Sequence, residues 1–163
     1  MTSRLKAALI LLSALSLFVL AFSLYGTLIY PDSFSTPIYK TYSYICHQDR
    51  ELCIKLNGNP MPVCSRCIGL YSGAFLANLF ILTLIKKKAN NHSIIRKGGI
   101  ISIAAIISWG LVFADSRLTY LKILSVSHTR RFATGLIAGS SSSMFILFLL
   151  AVFYSIQINQ KKP

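Results

Sequence analysis

The chain has 163 residues, 54% hydrophobic and only 13% charged, with a mean hydropathy of +0.61. Apolar residues gathered in runs near 20 long exclude an ordinary soluble core and indicate membrane spans. The net charge of +13 does not indicate nucleic acid. Its basic residues cluster at the ends of the apolar runs, where they anchor to headgroups, and no basic face alternates with aromatics. The partner this composition implies is the lipid bilayer.

The first apolar run covers about residues 7–29, preceded by Arg4 and Lys6. It is long for a signal peptide, and its end, A-F-S-L-Y-G, offers no convincing cleavage site, so it reads as an uncleaved anchor. A polar loop over residues 31–66 follows, carrying Cys46, His47, Gln48, Cys53, Cys64 and Arg66. With Cys67 at the next span, the four cysteines of the chain fall inside 22 consecutive residues. Gly58, Pro60 and Pro62 make the intervening stretch a turn that folds back toward the helix mouth.

The second span covers about residues 67–85 and opens with Gly69-x-x-x-Gly73 followed by Ala77. Three lysines, Lys86 to Lys88, abut its far end, and His92 in the same loop reads as a solvated surface histidine. The third span covers about residues 98–114, the shortest of the four. The fourth covers about residues 132–156 and carries Gly135-x-x-x-Gly139 followed by Ser143. A crossing needs roughly 17–25 residues, and each run complies. The expected fold is therefore all-α, an integral membrane four-helix bundle forming a single domain over residues 1–163, with a Cys-rich loop at one end.

Small residues four apart form a groove that lets helix backbones approach closely in lipid. Both grooves start at the same membrane face, so the second and fourth spans are expected to meet there. Asn78 reads as an interhelical hydrogen bonder, and Ser140 to Ser143 as serines bonded back to their own helix carbonyls. Charges at span ends ordinarily sit among headgroups. If Asp115 faces inward instead, it must pair with Arg131 or Arg66, because an unpaired charge there is costly.

Orientation follows from the flanking charges. The N-terminus, the Lys86–Lys97 loop and the C-terminus share one side, with nine Lys and Arg and no acid, against eight basic residues and all four acids on the other. That count is nearly even, so the close flanks decide: Arg4 and Lys6 precede the first span, and nothing basic follows it before Lys40. The expected topology is N-in and C-in, a multi-pass protein of the cell membrane with the cysteine loop extracytoplasmic.

The chemistry centres on Cys64-x-x-Cys67. Two thiolates at this spacing chelate one ion or close as a disulfide. The positive end of a helix dipole and the neighbouring Arg66 both favour thiolate. Cys46 and Cys53 can complete a four-sulfur shell, whereas His47 points away from Cys46 in an extended segment and is the poorer ligand. Three readings stay open: a zinc-type metal site, a redox pair exchanging electrons with a membrane quinone, and plain structural disulfides.

The run C-H-Q, then a Gly-containing loop, then P-x-C-x-R-C-x-G-x-Y-x-G resembles a family of prokaryotic multi-pass membrane proteins catalogued only as a domain of unknown function. The matching residues are Cys46, His47, Gln48, Gly58, Pro62, Cys64, Arg66, Cys67, Gly69, Tyr71 and Gly73. A weaker match follows at Asp115, Arg131, Thr134, Gly135 and Gly139. The resemblance implies a shared core of Cys46, His47, Cys64 and Cys67, with Arg66, Asp115 and Arg131 around it, and no assigned activity. Cys53 stands where the family often has serine, Leu52 where it has arginine, His128 where asparagine is usual and Thr119 where glutamine is usual. In layout alone, four spans with two cysteine pairs are similar to the quinone-linked disulfide-forming oxidases and vitamin K epoxide reductase. That likeness implies Cys64/Cys67 as the membrane pair and Cys46/Cys53 as a shuttle pair.

Overall fold

The computed structural model describes residues 3–29, 37–86 and 98–160. The expectations placed on Lys87, Lys88, His92, Arg96, Lys97, Lys161 and Lys162 lie outside them. In chain order the elements are helix α1 (Ser3–Ile29), short helix α2 (Pro37–Tyr42), strands β1 (Cys53–Leu56) and β2 (Asn59–Cys64), then helices α3 (Ser65–Lys86), α4 (Gly98–Tyr120) and α5 (His128–Gln160). Four of these helices are long and apolar enough to cross a membrane, over Lys6–Ile29, Ser65–Thr83, Gly98–Tyr120 and His128–Phe153. The chain is a multi-pass membrane bundle.

Burial runs opposite to that of a water-soluble protein. Leu11, Ile100 and Ile106 are more than 70% exposed, while Ser23, Asn78 and Ser108 are at most 3% exposed. Apolar side chains have nothing to gain by hiding from lipid, so the interior goes to small and polar residues that pack and bond. Two of the most exposed residues, Tyr44 and Tyr120, lie at the end of the bundle that carries the strands, where tyrosine suits a bilayer interface.

The tightest crossing joins α3 to α5. A β-carbon on Gly69 would strike the carbonyl oxygen of Phe132, and one on Gly73 that of Leu136. Reciprocally, Gly135 sits against the carbonyl of Arg66 and Gly139 against that of Leu70. The two grooves are in mutual contact along two turns, backbone on backbone. Deeper in the crossing Ser143 donates to the Asn78 carbonyl, and Ser140 bonds both Leu136 O at 2.8 Å and Gly73 O at 3.1 Å. The serine run is thus not purely self-bonded as its sequence suggests. Ser141 reaches Ser108 at 2.5 Å, and Ser142 accepts from the Trp109 indole N–H at 2.8 Å, which ties α4 to α5.

Two features depart from the sequence reading. Helix α4 continues six residues past Ala114, to Tyr120. Asp115 does not end the span because its charge is neutralised inside the bundle. The cysteine loop also contains a two-stranded antiparallel sheet, with Cys53 opposite Cys64 and Leu56 opposite Asn59. Its turn is Asn57-Gly58, with φ of 50° and 85°. Positive φ at both central residues is the turn whose twist matches paired strands, and Asn-Gly is the dipeptide that adopts it most readily. Pro60 and Pro62 are compatible with β2 because a two-stranded sheet leaves each strand an open edge.

Candidate metal centre

Three cysteines from three different local structures meet at one point. Cys46 follows the turn that ends α2, Cys64 is the last residue of β2, and Cys67 lies in the first turn of α3. Their sulfurs lie within 4.8 Å of one another, with Cys46 and Cys64 buried and Cys67 half-buried. Two thiolates on one zinc stand about 3.8 Å apart, given a Zn–S bond of about 2.3 Å and a tetrahedral angle. Small side-chain adjustments would therefore close the triad on an ion. The donor set is all sulfur, which suits zinc and other thiophilic metals rather than magnesium or calcium.

The surrounding hydrogen bonds explain why the three converge. The Tyr42 hydroxyl donates to Val19 O at 2.5 Å, pinning α2 to α1. The Tyr39 hydroxyl donates to Pro60 O at 2.5 Å, tying α2 to β2. The side-chain amide of Gln48 then donates to Tyr39 O at 2.6 Å and Pro62 O at 3.0 Å. Gln48 itself has a φ of 50°, a turn that folds Cys46 back onto the strand. The Cys64 N–H accordingly points at Cys46 Sγ, 3.2 Å away. Gln48 is thus the residue that bridges the segment carrying Cys46 to the one carrying Cys64.

Ser65 secures the mouth of α3. Its N–H and hydroxyl both donate to Leu52 O, the latter at 2.7 Å, and the same hydroxyl lies 2.8 Å from His128 Nδ1. His128 is therefore engaged at the helix mouth, one step removed from the sulfurs.

Electrostatics single out Cys64. Hydrogen bonds from the Cys46 and Cys67 thiols, and then from the Cys67 and Arg66 backbone N–H groups, hold it far below the usual thiol range. Cys46 moves the other way, raised chiefly because it shares its proton with Cys64. Arg131 lies near Cys64, and their charges attract. Cys53 behaves differently: burial, followed by the like charges of Cys46 and Cys64, pushes it up to about 12.

The remaining sequence candidates divide clearly. Cys53 is 1% exposed and lies across the sheet from Cys64, yet it is outside the three-sulfur group. His47 is exposed and also outside it. Asp115 faces inward and is held by Arg66 and by Arg130, whose Nε lies 2.6 Å from its carboxylate. Arg66 also bonds Ser116 at 2.6 Å. Arg130, which the sequence reading passed over, therefore occupies the place expected for Arg131. Its position fifteen residues after Asp115, beyond a short turn, was available as a signal, but either arginine of the Arg130-Arg131 pair satisfied it. Tyr71 was noted only as a motif residue. It lies four residues after Cys67, on the same helical face.

Residues 46–146 match the family described as predicted membrane protein (DUF2085). The chain belongs to that family. The matched stretch begins at Cys46 and takes in all three clustered sulfurs, Asp115, Arg130 and Arg131. Among curated proteins, the chain is 31% identical over 117 residues to an uncharacterized protein of Methanocaldococcus jannaschii, covering 72% of this chain and 69% of that one. It is 32% identical over 98 residues to an uncharacterized protein of Methanothermobacter thermautotrophicus, covering 60% of this chain and 80% of that one. No solved structure matches.

Proposed function

We propose that this protein binds a thiophilic metal ion, zinc in type, at the strand-bearing end of a membrane bundle, with Cys46, Cys64 and Cys67 as ligands. The observation that carries this reading is the convergence of three sulfurs, from the turn after α2, from β2 and from α3, within 4.8 Å, with no carboxylate among them. Residues 18 and 21 positions apart are held together by Gln48, Tyr39 and the hairpin, an arrangement with more shaping than packing alone requires. By the flanking charges, this end faces away from the cytoplasm.

The test is metal content and free-thiol count on the detergent-solubilised protein. Stoichiometric zinc lost in Cys46→Ser, Cys64→Ser and Cys67→Ser, yet retained in Cys53→Ser, supports the assignment. Metal-free protein whose thiols become titratable only after mild reduction would identify the cysteines as structural disulfides instead. A reporter fused after Pro163 should read cytoplasmic, and a membrane-impermeant thiol reagent on intact cells should reach the cysteine loop in the metal-stripped protein.

One observation favours a redox reading as the alternative. A cleft of about 360 Å³ opens between α1, α3 and α5, lined by Leu12, Leu15, Leu70, Tyr71 and Asn78 among others. Tyr71 lines this cleft and stands one helical turn after Cys67. In this reading Cys64 and Cys67 close as a disulfide, releasing two electrons and two protons that reduce a membrane quinone to the quinol. A shuttle made of Cys46 and Cys53 fits less well, since Cys46 groups with Cys64 and Cys67. Quinone reduction by metal-free, thiol-reduced protein would select this alternative.

A further inference from the structure

Resting on the metal reading above, we infer that the centre is an open one, with three ligands from the chain and a fourth position that takes a small anion held by Arg131. A thiophilic ion of this type takes four ligands in tetrahedral array. Among the described residues the group within reach of one ion ends at three sulfurs. The nearby alternatives lie outside the group, are exposed or are bonded elsewhere. Cys53 lies outside the group, His47 is exposed, His128 bonds Ser65, and Asp115 is clamped by Arg66 and Arg130.

Arg131 supplies the second, independent observation. It is 5% exposed and beside Cys64, yet its Nε has no hydrogen-bond partner. Burying a guanidinium donor without an acceptor is costly. A planar guanidinium is also the side chain best suited to grip a small anion through two N–H groups at once.

The charges agree. In the ionic cluster beside the sulfurs, Arg66, Arg130 and Arg131 stand against Asp115, a local excess of two positive charges, while Asp49 and Glu51 are exposed in the loop. Three thiolates around a divalent ion carry roughly one negative charge. One positive charge is left over, which one monoanion neutralises. The N-terminus of α3, whose Arg66 and Cys67 N–H groups face Cys64, adds to the same field.

The experiment replaces the ion with cobalt(II) in the detergent-solubilised full-length protein and titrates sodium azide. Cobalt should show thiolate charge-transfer absorption, which reports the three-sulfur centre independently of the anion. Azide should then shift the visible d–d bands saturably, and Arg131→Gln should weaken azide binding about tenfold while leaving the charge-transfer bands in place. Should Arg131→Gln fail to fold, Arg131→Lys keeps the charge without the planar fork and should still bind azide several-fold more weakly. If intact charge-transfer bands do not respond to azide, the fourth position is filled from the chain and the inference fails. An azide response that appears only in Cys53→Ser would name Cys53 as that ligand and likewise overturn it. Equal azide affinity in the arginine variants removes Arg131 from the role. Absence of any thiolate–cobalt absorption refutes the underlying metal reading, and this inference with it.

Discussion

Arg66 and Asp115 meet inside the bundle, joining the residue between Cys64 and Cys67 to the middle of the last turns of α4. With Arg130 on the other carboxylate oxygen, one acid anchors two arginines from two further helices. The thiol site is thus braced from below by an ionic clamp, and its stability is tied to a charge two helices away from the sulfurs.

Asp115→Asn should accordingly be among the most destabilising single changes in the protein. It leaves two guanidinium groups without their shared counter-ion, and breaking a buried pair from one side costs about 3 kcal/mol or more. Arg66→Gln should cost less, since Asp115 keeps Arg130. Thermal unfolding in detergent, followed by circular dichroism, ranks the two, and equal melting temperatures would show that the clamp contributes nothing.

The crossing of α3 and α5 predicts a sharp contrast among glycines. Gly73→Ala or Gly139→Ala places a methyl group onto a backbone carbonyl and should cost about 2 kcal/mol or more, because backbone cannot step aside as a flexible side chain can. Gly110→Ala meets nothing within 4 Å and should be neutral or gain up to about 1 kcal/mol from helix propensity. The same melting experiment checks it.

Gly58→Ala tests the hairpin. At a φ of 85° a β-carbon strains the turn by about 1 kcal/mol, although the space around it is open. The expected result is a modest loss of stability with faster labelling of Cys53, since that cysteine is buried only while β1 and β2 are paired. Unchanged labelling would mean the turn does not control access to Cys53.

Cys53 also gives the alkaline limb of stability its sign. Burial raises its folded value from 9.0 to about 12, so the neutral thiol is the form that the fold prefers. The contribution is complete below pH 9 and is lost as pH rises from there toward 12, because only the unfolded chain can release the proton easily. Cys53→Ala should flatten stability over that window in metal-free protein. In the folded state, Cys53 should resist iodoacetamide at pH 8 and react on unfolding.

The sequence made the spans readable because lipid demands long apolar runs, and Gly69, Gly73, Gly135 and Gly139 mark the close approach of α3 and α5 by their spacing. Other features were harder to see for identifiable reasons. Asp115 read as the end of a span because a charge is costly in lipid, and nothing in the local sequence shows that Arg66, 49 positions earlier, cancels it. The hairpin was legible in Asn57-Gly58 but masked by Pro60 and Pro62, which argue against a strand unless its edge is open. Four cysteines close in sequence suggested one shell of four. Nothing in that spacing reveals that Cys53, although paired across the sheet from Cys64, keeps its sulfur outside the group formed by the other three.

Strand β2 ends at Cys64 and helix α3 begins at Ser65, with no residue between them. A strand that passes into a helix without a linker has no soft joint, so a displacement at the sulfurs becomes a tilt of α3 rather than dissipating in a loop. Because α3 lies backbone-to-backbone on α5 at its glycines, that tilt cannot occur alone and carries its neighbour with it. Whatever draws the sulfurs together or lets them part is therefore mechanically geared to the middle of the bilayer, and a spectroscopic ruler between α3 and α4 would register the state of the thiols from the opposite end of the lever.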